Sequence, residues 1–251
     1  MHTRISDEGT EGTEGNMHYF IDAGYIAIGN NFAKNCDSAR ALNHQDAIAD
    51  LQKLAQAHTL LMGLIGGILE NNDGRTVHNE DDTTKRRFVL TAAFVQGITL
   101  CEQSILQSLY LQAGNLLRQE FETLGLLSEV KKGIRKDGKV AHAQNAPWNS
   151  RKLYGELSSL AHMSDHKLLE SIIGYQTSWG DFASTIPQYK KETATRLYGF
   201  HVSMVMGLVD ELHSLYWDMF GYVIGERENE VLNVVYSILV KQGLFKAGYS
   251  A

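Results

Sequence analysis

Residues 114–127 read GNLLRQEFETLGLL. Leu116, Leu117, Phe121, Leu124 and Leu127 recur at steps of three and four, the period of one helix face. Arg118 and Glu122 lie four apart and so share a face beside that apolar stripe. Residues 152–162, KLYGELSSLAH, repeat the arrangement, with Tyr154, Ser158 and His162 at four-residue steps. Polar groups beside a core need partners, because leaving one buried and unpaired costs roughly 1–3 kcal/mol. The two helices are therefore expected to bring these five residues together, as a structural brace or as a site.

The same period governs the flanking sequence. A helix is expected from the N-cap Asn43 to Glu70, with Ile48, Leu51, Leu54, Ala55, His58, Leu61, Met62, Ile65 and Leu69 on its face. The run Asn71-Asn72-Asp73-Gly74 stops it, and residues 71–82 read as a loop. The next helix spans Thr83 to Gln112, with Phe88, Ala92, Val95, Ile98, Leu106 and Leu109 apolar and Gly114 as its break. The helix from Asn115 to Lys132 follows, capped by Gly133. Residues 133–150 read as a basic loop, and the KLYGELSSLAH helix starts at Asn149 or Ser150. Residues 168–186 are rich in aromatic and β-branched residues and broken by Gly174 and Gly180, which predicts a short β-hairpin. Pro187 opens a long helix to Tyr222, and Glu228 to Gln242 is a last one. Residues 19–29 read as a weak strand or hairpin. The fold expectation is mainly α: a bundle of five or six helices with a small β-hairpin insertion. Residues 1–16 read as a disordered acidic tail and 17–251 as one helical-bundle domain.

Composition narrows the functional classes. The chain has 251 residues, 43% hydrophobic and 21% charged, enough for a sizeable core. A net charge of −6 argues against coating nucleic acid by overall charge. Cys36 and Cys101, the only two cysteines, form no CxxC pair, so neither a disulfide framework nor a cysteine zinc site is indicated. The N-terminus lacks an apolar stretch, and the longest apolar run, Leu60 to Leu69, is about half a membrane span. The expected location is cytoplasmic, without a membrane partner.

Other chemistry-bearing groups are sparser. Arg196 and His201 lie five apart in the long helix expected from Pro187, and Arg135 and His142 make a looser match in a loop. Lys131, Lys132, Arg135, Lys136 and Lys139 place five cations in nine residues, either a solvated helix end or a nucleic-acid contact, with Trp148 and Arg151 nearby. His162 with His166, and Asp210 with His213, have metal-ligand spacing, but Ser164-Asp165 reads as a helix stop that rotates His166 away. No Glu-x-x-His pair, Walker A, GxSxG or HExxH motif is present. No metal and no cofactor is expected.

The stretch SLYLQAGNLLRQEFETLGLLSEV and the following LYGELSSLAHMS resemble a group of uncharacterised bacterial helical proteins related to the HEPN superfamily, over about residues 85–220. Arg118, Glu122, Tyr154, Leu157, Ser158 and His162 carry the match. The superfamily includes metal-independent RNases of toxin–antitoxin and anti-phage systems, marked by an Arg-x(4–6)-His pair. Arg196 and His201 supply that pair here, with Leu197 where a polar residue usually follows the Arg. The resemblance implies endoribonuclease chemistry at Arg196, His201, Arg118, Glu122, Tyr154 and His162, in which a ribose 2′-oxygen attacks the adjacent phosphate. It also implies a homodimer, RNA as substrate, and a cognate antitoxin or defence partner. The alternative is a non-enzymatic interaction module whose polar residues brace the bundle. A metal-dependent bundle enzyme is the third reading.

Overall fold

The computed structural model describes residues 23–145 and 151–245. Eight α-helices and one antiparallel hairpin make up the described residues, so the chain is mainly α with more helices than the five or six expected. The elements are α1 (Ala23–Asp50), α2 (Gln52–Asn72), α3 (Asp82–Leu106), α4 (Tyr110–Lys131), a 3-10 turn (Ala143–Asn145), α5 (Arg151–Ala161), α6 (His166–Ile173), β1 (Gly174–Thr177), β2 (Gly180–Ala183), α7 (Lys191–Phe220) and α8 (Glu226–Lys241). The expected acidic tail, 1–16, lies outside the described residues.

The first correction concerns the N-terminal region. Residues 23–29 are helical, not strand, and the helix expected to start at Asn43 begins about 20 residues earlier. Asn43 is no cap: it is buried, and its Nδ2 donates to the Pro187 carbonyl at 3.0 Å. The expected single helix is divided at Leu51 (φ −100°, ψ 15°). The hydrogen-bond ladder nevertheless runs through, from Leu51 N to Ala47 O (2.8 Å) and from Ala55 N to Leu51 O (2.9 Å).

The second correction concerns the break between α3 and α4. It falls at Gln107–Leu109, not at Gly114. Ser108 takes a left-handed conformation (φ 61°), and Leu109 N reaches back to Ser104 O at 2.8 Å, closing the helix end in a Schellman-type turn. Gly114 lies inside α4, where an added Cβ would meet Leu160 Cδ1 at 3.0 Å. Its smallness lets α5 approach α4 closely, which a breaker reading of glycine misses.

The third correction is one of phase. Phe88 is exposed and Arg87 is buried, so the start of α3 faces the core one residue earlier than its apolar pattern suggests. Arg87 bonds Asp218 at 2.6 Å and faces Glu211 at 3.6 Å on α7, so a cation occupies a core position. Asp81 caps α3 by accepting from Thr84 N at 2.7 Å.

At the other end, the expected hairpin from 168 begins as helix α6 and pairs only from Gly174, with Tyr175 opposite Phe182. The last long helix starts at Lys191, four residues after Pro187, where the Tyr110 hydroxyl accepts from Lys190 N at 3.0 Å. Gly221 (φ 64°) ends it.

The core lies where α3 packs on α4 and α7, α2 packs on α7 and α8, and α5 covers α4. α3 is the one described helix long and apolar enough to cross a membrane, and it packs within this core.

Candidate functional site

α4 and α5 bring four of the five polar residues into one cluster. Arg118 Nε donates to Glu122 Oε1 at 2.9 Å, and its Nη2 donates to the Tyr154 hydroxyl at 3.4 Å. Tyr154 OH donates to the same Glu122 oxygen at 3.1 Å. The guanidinium lies 5.5 Å from the centre of the Tyr154 ring, within cation–π range. Arg118 Nη1 is 3.0 Å from His162 Nε2. A guanidinium only donates, so that imidazole nitrogen carries a lone pair here. The spacing explains the meeting: Arg118 and Glu122 share one face of α4, while Tyr154 of α5 and His162, in the turn that continues it, share the facing side.

Partial burial strips some water from Arg118 and lowers its pKa, but Glu122 and the Tyr154 oxygen outweigh that and raise it overall. The guanidinium is thus a fixed cation. Ser158, between Tyr154 and His162 on α5, holds a buried hydroxyl oxygen without a hydrogen-bond partner among the described residues. His162 is exposed, so the cluster opens to solvent. It is a cation oriented by a carboxylate and a phenol, with an imidazole lone pair beside it.

The pair Arg196 and His201 is separated by the helix that carries it. Five residues at about 100° each set the two side chains roughly 140° apart. Arg196 is exposed, bonds Glu156 and lies 5.6 Å from the Phe200 ring centre. It lines a groove of about 460 Å³ between α5, α6 and the start of α7. His201 is fully buried on the other side of α7.

There His201 joins residues that the sequence did not single out as a site. Its Nδ1 lies 3.0 Å from Glu120 Oε1, and its Nε2 lies 3.2 Å from His58 Nε2. His58 Nδ1 is 3.0 Å from Glu102 Oε1, which also accepts from Tyr198 OH at 2.6 Å. Cys101 is fully buried nearby, and burial together with Glu120 pushes its thiol pKa well up. The signal was present: His58, Cys101, Glu120 and His201 each hold a core register, as Glu120 does between Leu117 and Leu124. Which of them meet depends on the packing of four helices.

The basic loop departs from the other end of α4. Thirteen residues separate Arg118 from Lys131, about 20 Å along the helix. Lys131 Nζ donates to Ser214 Oγ at 2.8 Å, and Arg135 bonds the Lys139 carbonyl at 2.6 Å and Glu129 at 3.4 Å. Lys132, Lys136 and Lys139 are exposed. Pro147 and Trp148 lie outside the described residues, and the Arg151 side chain is likewise not described.

Glu129 organises this loop. Burial alone raises its pKa, but hydrogen bonds from His142 N (2.8 Å), Asn145 Nδ2 (2.9 Å) and Arg135 outweigh that and lower it overall. A carboxylate whose folded pKa is depressed contributes stability that is complete above its unfolded pKa and is lost as pH falls through the folded value. The urea midpoint of the wild type is therefore expected to fall below about pH 4.3, with Glu129→Gln showing a shallower fall. Parallel pH profiles for the two proteins would refute this role.

The spacings considered for metal resolve differently. α5 ends at Ala161, Met163 is left-handed (φ 50°), and His166 starts α6, where it is exposed and pairs with Glu170. His213 Nε2 accepts from Ile224 N at 3.3 Å.

No family model, no curated protein and no solved structure matches the chain.

Proposed function

We propose that the chain is a HEPN-like cytoplasmic protein of a toxin–antitoxin or anti-phage defence system that cleaves RNA at the Arg118–His162 constellation. The observation that supports this is the 3.0 Å contact between Arg118 Nη1 and His162 Nε2 on a solvent-open surface. Phosphodiester transfer needs a cation for the charge that grows on the phosphate and a group that moves a proton. His162 Nε2, freed when the Arg118 guanidinium turns to the phosphate, takes the proton of the ribose 2′-hydroxyl. The new bond joins O2′ to phosphorus, the bond from phosphorus to O5′ breaks, and the departing 5′-oxygen takes a proton from solvent water, while His162 later returns its proton to solvent. Arg118 faces the non-bridging oxygens, while Glu122 and Tyr154 act as positioning residues. The products are a 2′,3′-cyclic phosphate and a 5′-hydroxyl, and no metal takes part in this step. Lys132, Lys136 and Lys139, exposed in the loop at the far end of α4, are the cations this reading assigns to the RNA backbone.

A non-enzymatic brace is the second reading. It is favoured by the way Arg118, Glu122 and Tyr154 satisfy one another. Expression of the wild type beside His162→Ala, with growth and RNA integrity scored, separates the two. Equal and intact RNA in both sinks the RNase reading.

The proposed homodimer has a physical motive in α1. Its residues 24–42 are almost wholly exposed, including Tyr25, Ile28, Phe32 and Leu42. A helix of that length is marginal in water without packing. Tyr25, Ile28, Phe32, Asn35, Ala39 and Leu42 alternate steps of three and four, the seam of a two-stranded coiled coil. A second copy of α1 fits that seam. Sedimentation is expected to give a dimer for the wild type and a monomer for Ile28→Glu/Phe32→Glu. A wild type that stays monomeric at high concentration removes the dimer.

A further inference from the structure

We infer that Cys101, Glu120 and His201 form a binding site for one divalent transition-metal ion of the zinc class. The inference goes beyond the proposed cleavage site and is independent of it. Glu120 lies two residues from both Arg118 and Glu122, which turns it to the opposite side of α4.

The protons of the buried chain make the case. Tyr198 OH donates to Glu102, and a carboxylate only accepts, so His58 Nδ1 carries its hydrogen toward that same oxygen. With His58 neutral, its Nε2 is a lone pair, and the 3.2 Å contact then needs the hydrogen on His201 Nε2. His201 Nδ1 is left as a lone pair 3.0 Å from Glu120 Oε1 and 3.1 Å from Oε2. A lone pair facing a carboxylate in the core is repulsive. A proton on either imidazole or on Glu120 relieves it, and so does a metal ion bound at Nδ1.

Three observations favour a metal ion over a proton. Cys101, Glu120 and His201, all buried, each offer a ligand atom, and these atoms lie within 4.8 Å of one another. Glu120 Oε1 is buried without a well-formed hydrogen bond, and the Glu120 carboxylate faces His201 and the Cys101 thiol, the other two ligands. His201 has the outer partner typical of a metal-bound imidazole, since its other nitrogen is held by His58, which Glu102 and Tyr198 hold in turn. Thiolate, imidazole and carboxylate together suit zinc-like ions and not calcium or magnesium. The three donors come from α3, α4 and α7, so the ion would staple the core. A pocket of about 20 Å³ between α3 and α4, lined by Phe94, Gly97 and Glu120, has room for about one water beside Glu120.

The test is to unfold the full chain in chelator, refold it with Co²⁺, and read helicity, bound cobalt and the absorption spectrum. One Co²⁺ per chain is expected, with ligand-field bands and a thiolate-to-cobalt charge-transfer band. Cys101→Ser should lose the charge-transfer band while keeping native helicity. His58→Ala, in the outer shell, should weaken binding about 10–100-fold. Arg118→Ala should bind Co²⁺ as the wild type does, which separates this site from the cleavage site. A wild type that binds no cobalt, or binds it without the charge-transfer band, overturns the inference, as does a His201→Ala variant that still binds one equivalent.

Discussion

On the proposed RNase reading, Arg118→Ala and His162→Ala are each expected to abolish most RNA cleavage while leaving the bundle folded. Loss of a preorganised donor to a developing oxyanion costs about 10²–10³ in rate, and loss of a general acid–base group about 10²–10⁴. The stability cost should be small by comparison. The Arg118–Glu122 pair is an i,i+4 pair with both side chains about one-fifth exposed, and such pairs contribute only about 0.3–0.5 kcal/mol. A brace predicts the reverse, a lowered Tm with nothing else lost. Glu122→Gln refines the assignment: as a positioning residue it should lower kcat while the shape of the pH profile stays that of the wild type. The measurement is cleavage of a labelled single-stranded RNA by purified protein in excess chelator, with thermal melts in parallel. Cleavage that survives in both variants, or that fails in chelator for the wild type, refutes the assignment.

The largest stability effect is expected at Arg87. Its side chain is 3% exposed, while Asp218 and Glu211 are 39% and 20% exposed. The two sides of the ion pair are therefore unequal. Arg87→Met frees two carboxylates that can rehydrate and fills the space with an apolar chain, so it should cost little. The double variant Asp218→Ala/Glu211→Ala leaves a buried guanidinium uncompensated and should cost about 3–5 kcal/mol. For a chain of this size that lowers Tm by roughly 6–20 °C. Arg87 Nε and Nη2 already lack hydrogen-bond partners among the described residues, so the cation has nothing to fall back on. Equal losses in the two variants would show that the pair is not the source of the effect.

Much of the fold follows from helical period alone. The apolar steps in 114–127 and 152–162 identify α4 and α5, and four-residue spacing puts Arg118 with Glu122, and Tyr154 with His162, on one side of its own segment. That cluster was legible because its partners sit two by two on faces whose phase the leucines set. The ends of elements were less so. Ser108, not Gly114, closes α3, because a left-handed turn can form at a serine when the backbone bonds behind it are satisfied. Arg87 was unreadable as core because only the α7 carboxylates make its burial affordable.

The amino-acid order by itself determined that this chain is helical, which faces are apolar, and which polar residues ride on them. It did not determine which of those residues meet. Arg196 and His201 look like a pair in one dimension, yet α7 turns them to different sides. His58, Cys101, Glu102, Glu120 and His201 lie up to 143 positions apart in sequence, yet they share one buried cluster. Periodicity records the direction of a side chain about its own helix axis. The rotation and height of one helix against another are set by packing, and that packing decides which helix each side chain meets.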